Sequence, residues 1–236
     1  MKRALLTVMY SFALCTEIET LAQSTFQNLD FESATLVSAG PPFVQFAPAF
    51  PGWTCNIGTN PVDSALYNTV ALDSSAISII DHGWANSFGG VIAGNFTAVL
   101  QAGLFGPNNT IEDTTLSQTG VVPVTARSLR FSAYFLTLNS PQFALVVSLG
   151  GQNLSFTPLL SGANYTEYGA DISSWAGQNA DLSFTVVAEN PHRNNEYLFL
   201  DSIQFSDLAV PEPSIVSLSA LGALILSWRF VRTRRR

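Results

Sequence analysis

Charged residues are scarce in this sequence, and cysteine and histidine are scarcer still. Only 11% of the 236 residues are Asp, Glu, Lys or Arg, whereas 47% are hydrophobic. A chain this apolar can bury a core, which argues against disorder. A helical bundle is also disfavoured, because its outer faces need many more charges than this sequence has. The length suits one domain of β-sandwich size with terminal appendages.

With only two cysteines and two histidines, the chain has few of the residues that the common catalytic and metal sites use. If Cys15 leaves with a leader segment, Cys55 is alone and an intramolecular disulfide is excluded. We therefore predict Cys55 to be a small buried apolar residue beside Trp53. Asp81-His82 is the one catalytic-looking pair, and the lack of an identifiable nucleophile favours a solvated loop there.

The basic residues are concentrated at the two ends of the chain. Between residues 24 and 210 the only cations are Arg127, Arg130 and Arg193, whereas that segment keeps 14 of the 17 acidic residues. Binding to nucleic acid requires many Lys and Arg side chains to neutralise phosphates. Three dispersed arginines on an acidic body exclude nucleic acid as a partner.

The amino terminus has the parts of a secretory signal peptide. Lys2 and Arg3 precede an apolar run that ends at Cys15, and Ala22 offers a small residue at a cut site. We predict a signal peptide over residues 1–22. The alternatives are lipidation at Cys15 and a buried amphipathic first helix.

A second apolar segment lies at the carboxyl terminus, within residues 208–236. As a helix, Ile215 to Val231 would be about 25 Å long, a little less than a hydrocarbon core of about 30 Å. The arginines that follow should stay in the cytoplasm by the positive-inside rule, which leaves the body outside. The segment therefore predicts a transmembrane helix.

The order of Pro-Glu-Pro, membrane helix and arginine cluster resembles the PEP-CTERM sorting signal of exported bacterial proteins. The resemblance implies that Pro211, Glu212 and Pro213 form a sorting motif and that an exosortase-type membrane enzyme recognises it and processes the chain nearby. It also implies association with bacteria that make extracellular polysaccharide. A plain tail anchor is the alternative. Both interpretations place the body outside the cytoplasm, and the sorting signal predicts a membrane-anchored precursor that ends in the cell envelope or outside the cell.

Several segments of the body, residues 23–207, alternate between apolar and polar side chains. The apolar faces comprise Leu129, Phe131, Ala133 and Phe135, then Phe143, Leu145, Val147 and Leu149, then Leu182, Phe184, Val186 and Ala188. Further strands are predicted at Val70–Leu72, Ala76–Ile80, Phe96–Gln101 and Tyr197–Phe205. Gly150-Gly151 suits a two-residue hairpin turn, and a single helical turn is predicted near 172–176. Short strands with turn residues between them predict an all-β fold, a single antiparallel β-sandwich.

Three short patches resemble jelly-roll carbohydrate-binding modules and their galactose-binding-like relatives. The patches are Asn28–Glu32, Pro51-Gly52-Trp53 and Leu198–Ile203. The resemblance implies a jelly roll whose first and last strands are adjacent. It also implies a structural calcium ion with Glu32 and Asp201 among its ligands, although Ser202 stands where many relatives have a second acid.

The strand pattern marks Asp201 independently of that resemblance. Asp201 shares the odd-numbered positions of its strand with four apolar residues, Tyr197, Phe199, Ile203 and Phe205. An acid on an apolar face must be paired, hydrogen-bonded or bound to a metal. Calcium is one solution. A β-bulge, or backbone N–H donors near Asn28, is the other.

Aromatic residues in polar surroundings are the candidates for sugar binding, because a pyranose packs against an exposed ring. Trp84 lies among glycine, serine and asparagine, Trp175 follows two serines, and Tyr134 lies on the polar phase of its strand. Packing roles are the alternative for all three. Trp53 lies among apolar residues and is expected in the core.

Three classes of function are compatible with these features. We favour an exported, exosortase-sorted envelope or matrix protein whose non-catalytic body binds polysaccharide. The second is a secreted polysaccharide hydrolase, which needs two facing carboxylates. The third is a structural or adhesive surface protein that binds another protein through an exposed apolar patch.

Overall fold

The computed structural model describes residues 25–137, 145–188 and 196–211. This part of the chain forms 16 β-strands, one helical turn α1 (Phe46–Ala49) and one 3-10 turn (Ser173–Trp175). The strands are β1 Ser38–Gly40, β2 Phe43–Gln45, β3 Thr54–Ile57, β4 Asn60–Pro61, β5 Ser64–Tyr67, β6 Ala76–Ile80, β7 Thr97–Phe105, β8 Thr110–Glu112, β9 Thr114–Val121, β10 Ser128–Thr137, β11 Leu145–Leu149, β12 Gln152–Asn153, β13 Phe156–Ser161, β14 Thr166–Asp171, β15 Asn179–Val186 and β16 Glu196–Ser206.

The strands pair into two sheets. The large sheet has the order β1-β2-β5-β6-β7-β16-β10-β14-β13, with β8 also paired to β7, and the small sheet has the order β12-β11-β15-β9-β3-β4. Every pair is antiparallel except β5 with β6. The all-β prediction is confirmed, whereas the jelly-roll topology stays a prediction.

The predicted apolar faces pack against one another between the sheets and form the main core. Phe131 of β10 meets Phe184 of β15 edge to face, with ring centroids 5.3 Å apart, and so joins the two sheets. Nine alternating residues of three strands are buried there: Leu129, Phe131, Ala133, Val147, Leu149, Ala180, Leu182, Phe184 and Val186. The alternation therefore identified the inner faces of β10, β11 and β15. Phe143 lies outside the described residues.

Trp53 and Cys55 belong to the main core, as predicted. The Trp53 indole nitrogen donates to the backbone oxygen of Asn28 at 3.0 Å, and its ring lies 5.8 Å from that of Phe31. Burial raises the pKa of the Cys55 thiol to about 12. Cys55 is therefore a neutral packing residue at ordinary pH.

The predicted boundaries hold for most strands and fail at one. Ala76–Ile80 is β6, and β7 and β16 cover the strands predicted from 96 and 197. Val70–Leu72 is not a strand. The side-chain amide of Gln101 takes the place of a ladder partner, since it accepts from the Ala71 N–H at 3.0 Å and donates to the Ala71 carbonyl.

Two local predictions about turns are confirmed. Gly150 and Gly151 have φ angles of 58° and 75° and join β11 to β12, where Leu149 pairs with Gln152. Positive φ at both positions is what a two-residue hairpin of this kind needs. The helical turn predicted near 172–176 is the 3-10 turn at Ser173–Trp175.

Strand β16 lies in the middle of the large sheet and is covered on both faces. Leu198 and Leu200 face the main core. Tyr197 and Phe199 face the opposite side, where with Ile80 and Val99 they form a second buried group, the outer cluster. Trp84, Phe88 and Ile92 of the β6–β7 loop (residues 81–96) pack over this cluster.

A bulge in β16 corrects the prediction that all its odd-numbered residues share one face. Ser132 of β10 pairs with Asp201, but Arg130 pairs with Gln204, so β16 carries one extra residue, and Ser202 has a φ of 49°. The bulge reverses the alternation. Ile203 therefore faces the main core, whereas Tyr197 and Phe199 face the outer cluster.

The two terminal segments cannot be compared with their predictions. Residues 1–24 and 212–236 lie outside the described residues, and they include the predicted signal peptide, Glu212, Pro213 and the predicted membrane helix. Pro211 is described and exposed. Among the described residues, none of the helical turns has the length and apolar character needed to cross a membrane.

Candidate functional site

Glu32 follows a tight turn that brings its carboxylate onto the β6–β7 loop. Phe31, with a φ of 59°, is fully buried and anchors this turn in the main core. The carboxylate accepts the Asn95 N–H at 2.7 Å, the Phe96 N–H at 3.0 Å and the Asn95 side-chain amide at 2.8 Å. Burial opposes ionisation of Glu32, but these hydrogen bonds outweigh it and the net pKa is lowered.

Asp201 lies fully buried under the same loop, at the bulge of β16. One carboxylate oxygen accepts the Thr97 hydroxyl at 2.6 Å and the Ala93 N–H at 3.2 Å, and the other accepts the Ser202 N–H at 2.6 Å. Burial raises the pKa of Asp201 to about 6, against the effect of these donors, and the nearby negative charge of Glu32 adds to the rise. The buried acid is thus explained by a bulge and by hydrogen-bond donors from the loop.

The surroundings of Glu32 and Asp201 allow a test of whether these residues fit calcium. Glu32 accepts three hydrogen bonds and Asp201 accepts four, and five of the seven come from residues 93–97. N–H groups present positive dipole ends, whereas calcium needs oxygen ligands, usually six to eight. Within the described residues, no three His, Cys, Asp or Glu side chains are grouped so that they could hold a metal ion. The two carboxylates fit hydrogen-bond donors rather than calcium, and calcium binding itself stays a prediction.

The structure brings two of the three predicted sugar-binding residues to one face. Trp84 and Tyr134 both contact Phe199, with ring-centroid distances of 6.1 and 5.7 Å. The Trp84 indole nitrogen donates to the Phe88 carbonyl at 3.0 Å, which holds the ring against the outer cluster. Trp175 packs instead against the main core, from the 3-10 turn. Trp175 is therefore separated from the other two by the large sheet.

A groove beside Tyr134 has a mixed aromatic and polar lining of the kind that suits a sugar. It has a volume of about 310 Å³, at the lower end of the range for small-molecule sites. Its lining combines aromatic rings with hydroxyl and amide groups: Tyr134, Tyr165, Tyr168, Ser161, Asn164 and Thr166. The Asn164 amide donates to the Val91 carbonyl at 3.3 Å, so the groove borders the β6–β7 loop.

The sequence pattern did not identify most of this lining. Tyr165 and Tyr168 are three positions apart, and alternation alone places them on opposite faces. Tyr165 comes beside Tyr134 because the next residue, Thr166, pairs with Ala133, whereas Tyr168 pairs with Phe131 and its ring packs against the main core. A sequence signal for that pairing is lacking, because it joins segments about 35 residues apart.

The Asp81-His82 pair lies on the same loop, and each residue has partners of its own. Asp81 accepts from the Tyr67 hydroxyl at 2.5 Å, the Asn68 amide at 2.6 Å and the Gly83 N–H at 2.7 Å. Burial opposes ionisation of Asp81, but these donors give a net lowered pKa. His82 is exposed, with its Nε2 3.0 Å from the Gly94 carbonyl oxygen. Both residues thus contribute to the structure of the loop.

Comparison with known proteins gives no family for this chain. No protein-family model matches it, and no curated protein matches it. A search of solved structures finds weak similarity to the K2 cleaved adhesin domain of Lys-gingipain, with 14% identity, 75% of this chain, 95% of the other and a TM-score of 0.36.

Two other solved structures are similar to the same extent. The secreted serine protease VesC from Vibrio cholerae has 10% identity, covering 75% of this chain and 43% of the other, with a TM-score of 0.33. The enzymatically active domain of bacteriophage CBA120 tailspike protein 4 has 11% identity over 65% of this chain, with a TM-score of 0.34. This chain covers 19% of the tailspike structure. At these TM-scores the similarity carries no argument about function.

Proposed function

We propose that this chain is an exported, non-catalytic β-sandwich protein of the cell envelope or extracellular matrix that binds polysaccharide through the groove beside Tyr134. The observation that carries the proposal is the lining of that groove. Tyr134 and Tyr165 provide apolar ring surface, and hydroxyl and amide groups surround them. Sugars present the complementary surface, with apolar ring faces and hydroxyls at the rim.

The proposal of export depends on the two terminal segments of the sequence. Lys2-Arg3 and the apolar run after it support a signal peptide. Pro211-Glu212-Pro213, the apolar run and the terminal arginines support sorting through an exosortase-type enzyme. Polysaccharide outside the cell would then be within reach of the body.

Affinity electrophoresis of the full-length protein through gels that contain neutral or acidic polysaccharides tests binding. We expect at least one polysaccharide to retard the protein. Tyr134→Leu keeps an apolar contact with Phe199 but removes the ring face, so we expect it to weaken binding by about tenfold or more.

Trp175→Leu is the matched control, because it removes an aromatic ring that packs elsewhere. We expect this variant to bind as the wild type does. Loss of binding in Trp175→Leu but not in Tyr134→Leu would place the site away from the groove. Folded protein that no polysaccharide retards would contradict binding altogether, and release of reducing sugar would favour the hydrolase alternative.

A further inference from the structure

We infer that Glu32 and Asp201 form a metal-free clasp that holds the β6–β7 loop by hydrogen bonds, in the place where the jelly-roll resemblance implies calcium. The carboxylate clasp consists of these two side chains and the N–H groups of Ala93, Asn95 and Phe96. It joins the start of the body to its last strand through the loop between them. The clasp is independent of the polysaccharide proposal.

Most donors of the clasp lie in the short stretch 92–97, where the backbone turns at Gly94. Gly94 has a φ of 58°, which is easy for glycine and strained for other residues. A Cβ atom on Gly94 would lie 2.3 Å from a Glu32 carboxylate oxygen, so the backbone of the loop lies directly against this carboxylate. Asn95 contributes both its N–H and its side-chain amide to Glu32.

The second carboxylate holds the two ends of the same stretch. Asp201 accepts the Ala93 N–H, and it accepts the Thr97 hydroxyl where β7 begins. The Thr97 hydroxyl oxygen in turn accepts the Ile92 N–H at 2.9 Å. Two sets of hydrogen bonds, one on each carboxylate, therefore hold the stretch 92–97, and no ion is required to satisfy these groups.

The clasp lies beside the rim of the groove. Val91, next to the clasped stretch, accepts the hydrogen bond from Asn164 of the groove lining. His82, earlier in the loop, lies within hydrogen-bond distance of the Gly94 carbonyl. Glu32 and Asp201 are thus positioning residues for the loop, and neither needs to touch a ligand.

Thermal unfolding of the full-length protein in EDTA and in millimolar calcium tests whether the clasp is free of metal. We expect the same Tm in both solutions, because hydrogen-bond donors occupy the carboxylates. A Tm that falls in EDTA, or that rises with calcium in the wild type but not in Glu32→Gln, would overturn the inference.

Glu32→Gln tests the hydrogen bonds themselves, since its amide group would face the Asn95 amide donor. We expect Tm to fall by roughly 3–8 °C with or without calcium. Asp30→Asn is the matched control. It removes the same charge, but exposed Asp30 accepts only one hydrogen bond from the described residues, from the Glu32 N–H at 3.3 Å. Equal Tm values for the two variants would contradict the clasp.

Hydrogen exchange separates loop positioning from general stability. Exchange of the Ala93, Asn95 and Phe96 amides should accelerate by about tenfold or more in Glu32→Gln, while amides of the distant β15 stay protected. If Glu32→Gln does not fold, Thr97→Val removes the hydroxyl that bonds Asp201 and should release the Ala93 amide. Unchanged exchange at these amides in a folded variant would overturn the inference.

A glycine pair provides a second matched comparison. Gly94→Ala adds a clash with Glu32 to the strain of positive φ, whereas Gly106, at a φ of 69°, has nothing within 4 Å of an added Cβ. We expect Gly94→Ala to lower Tm clearly more than Gly106→Ala. Equal effects would indicate that Glu32 does not hold the loop.

Discussion

Asp201 is a buried acid whose need for partners was predictable from the sequence. Its position on an apolar face predicted that it must be paired, hydrogen-bonded or bound to metal. The donors that satisfy it, Ala93 and Thr97, are more than 100 positions away in sequence. The requirement was therefore visible in the sequence, but the identity of the partners was not.

The raised pKa of Asp201 predicts a stability that depends on pH. A carboxyl group whose pKa rises on folding stabilises the native state below its ordinary pKa of 3.8, and this contribution is lost as pH rises through about 6. The full change corresponds to roughly 3 kcal/mol, and about half of it falls above pH 5. We therefore expect Tm, followed by circular dichroism, to fall between pH 5 and pH 7.5.

Asp201→Asn should flatten this pH dependence, because the group that titrates is gone. The exposed acid Asp207 provides the control, and Asp207→Asn should retain the wild-type profile. Glu32, Asp81 and Asp171 act in the opposite sense, because their pKa values are lowered and their contributions are lost only at more acidic pH. A wild-type Tm that rises from pH 5 to pH 7.5 would contradict the assignment.

At the scale of the element, β16 is the strand on which the large sheet depends. It pairs with β7 on one side and β10 on the other, and it is apolar on both faces from Tyr197 to Leu200. Apolar and polar side chains alternate along a strand when one face of its sheet is exposed to solvent. The prediction of one apolar phase was therefore incomplete for a strand that both the main core and the outer cluster cover.

Replacing a buried side chain of β16 by alanine should destabilise the protein to a similar extent on either face of the sheet. We expect Phe199→Ala in the outer cluster and Leu200→Ala in the main core each to lower the free energy of unfolding by about 3–4 kcal/mol. Leu160→Ala on the edge strand β13, where the side chain is 59% exposed, should change it by about 0.5 kcal/mol or less. Urea denaturation provides the measurement. A small effect of Phe199→Ala would mean that the outer cluster contributes little packing.

The whole molecule combines a β-sandwich with two terminal segments that direct it out of the cell in our proposal. The acidic body carries few cations, and the arginines are concentrated at its carboxyl end. That asymmetry favours translocation of the body and retention of the tail. In this proposal the location of the protein depends on the ends, whereas polysaccharide binding depends on the body.

Processing of both ends can be measured on protein from the producing cells. Amino-terminal sequencing should begin at Gln23, and intact mass should show that the chain ends near Pro211-Glu212-Pro213. Replacement of these three residues by alanine should leave the protein in the membrane fraction with its tail intact. Leu208→Ala, at an exposed position nearby, is the control that should be processed normally. An uncut chain in the soluble cytosolic fraction would contradict this account.

Sequence alone determined the class of fold, the inner faces of β10, β11 and β15, the glycine hairpin and the unusual character of Asp201. These features follow from local periodicity and local backbone preference, which act between neighbours in the chain. Only the tertiary structure decided the order of strands, the bulge that reverses β16, the groove beside Tyr134 and the clasp around residues 93–97. Each of these depends on contacts between segments far apart in sequence, and local patterns do not encode which segments will pair.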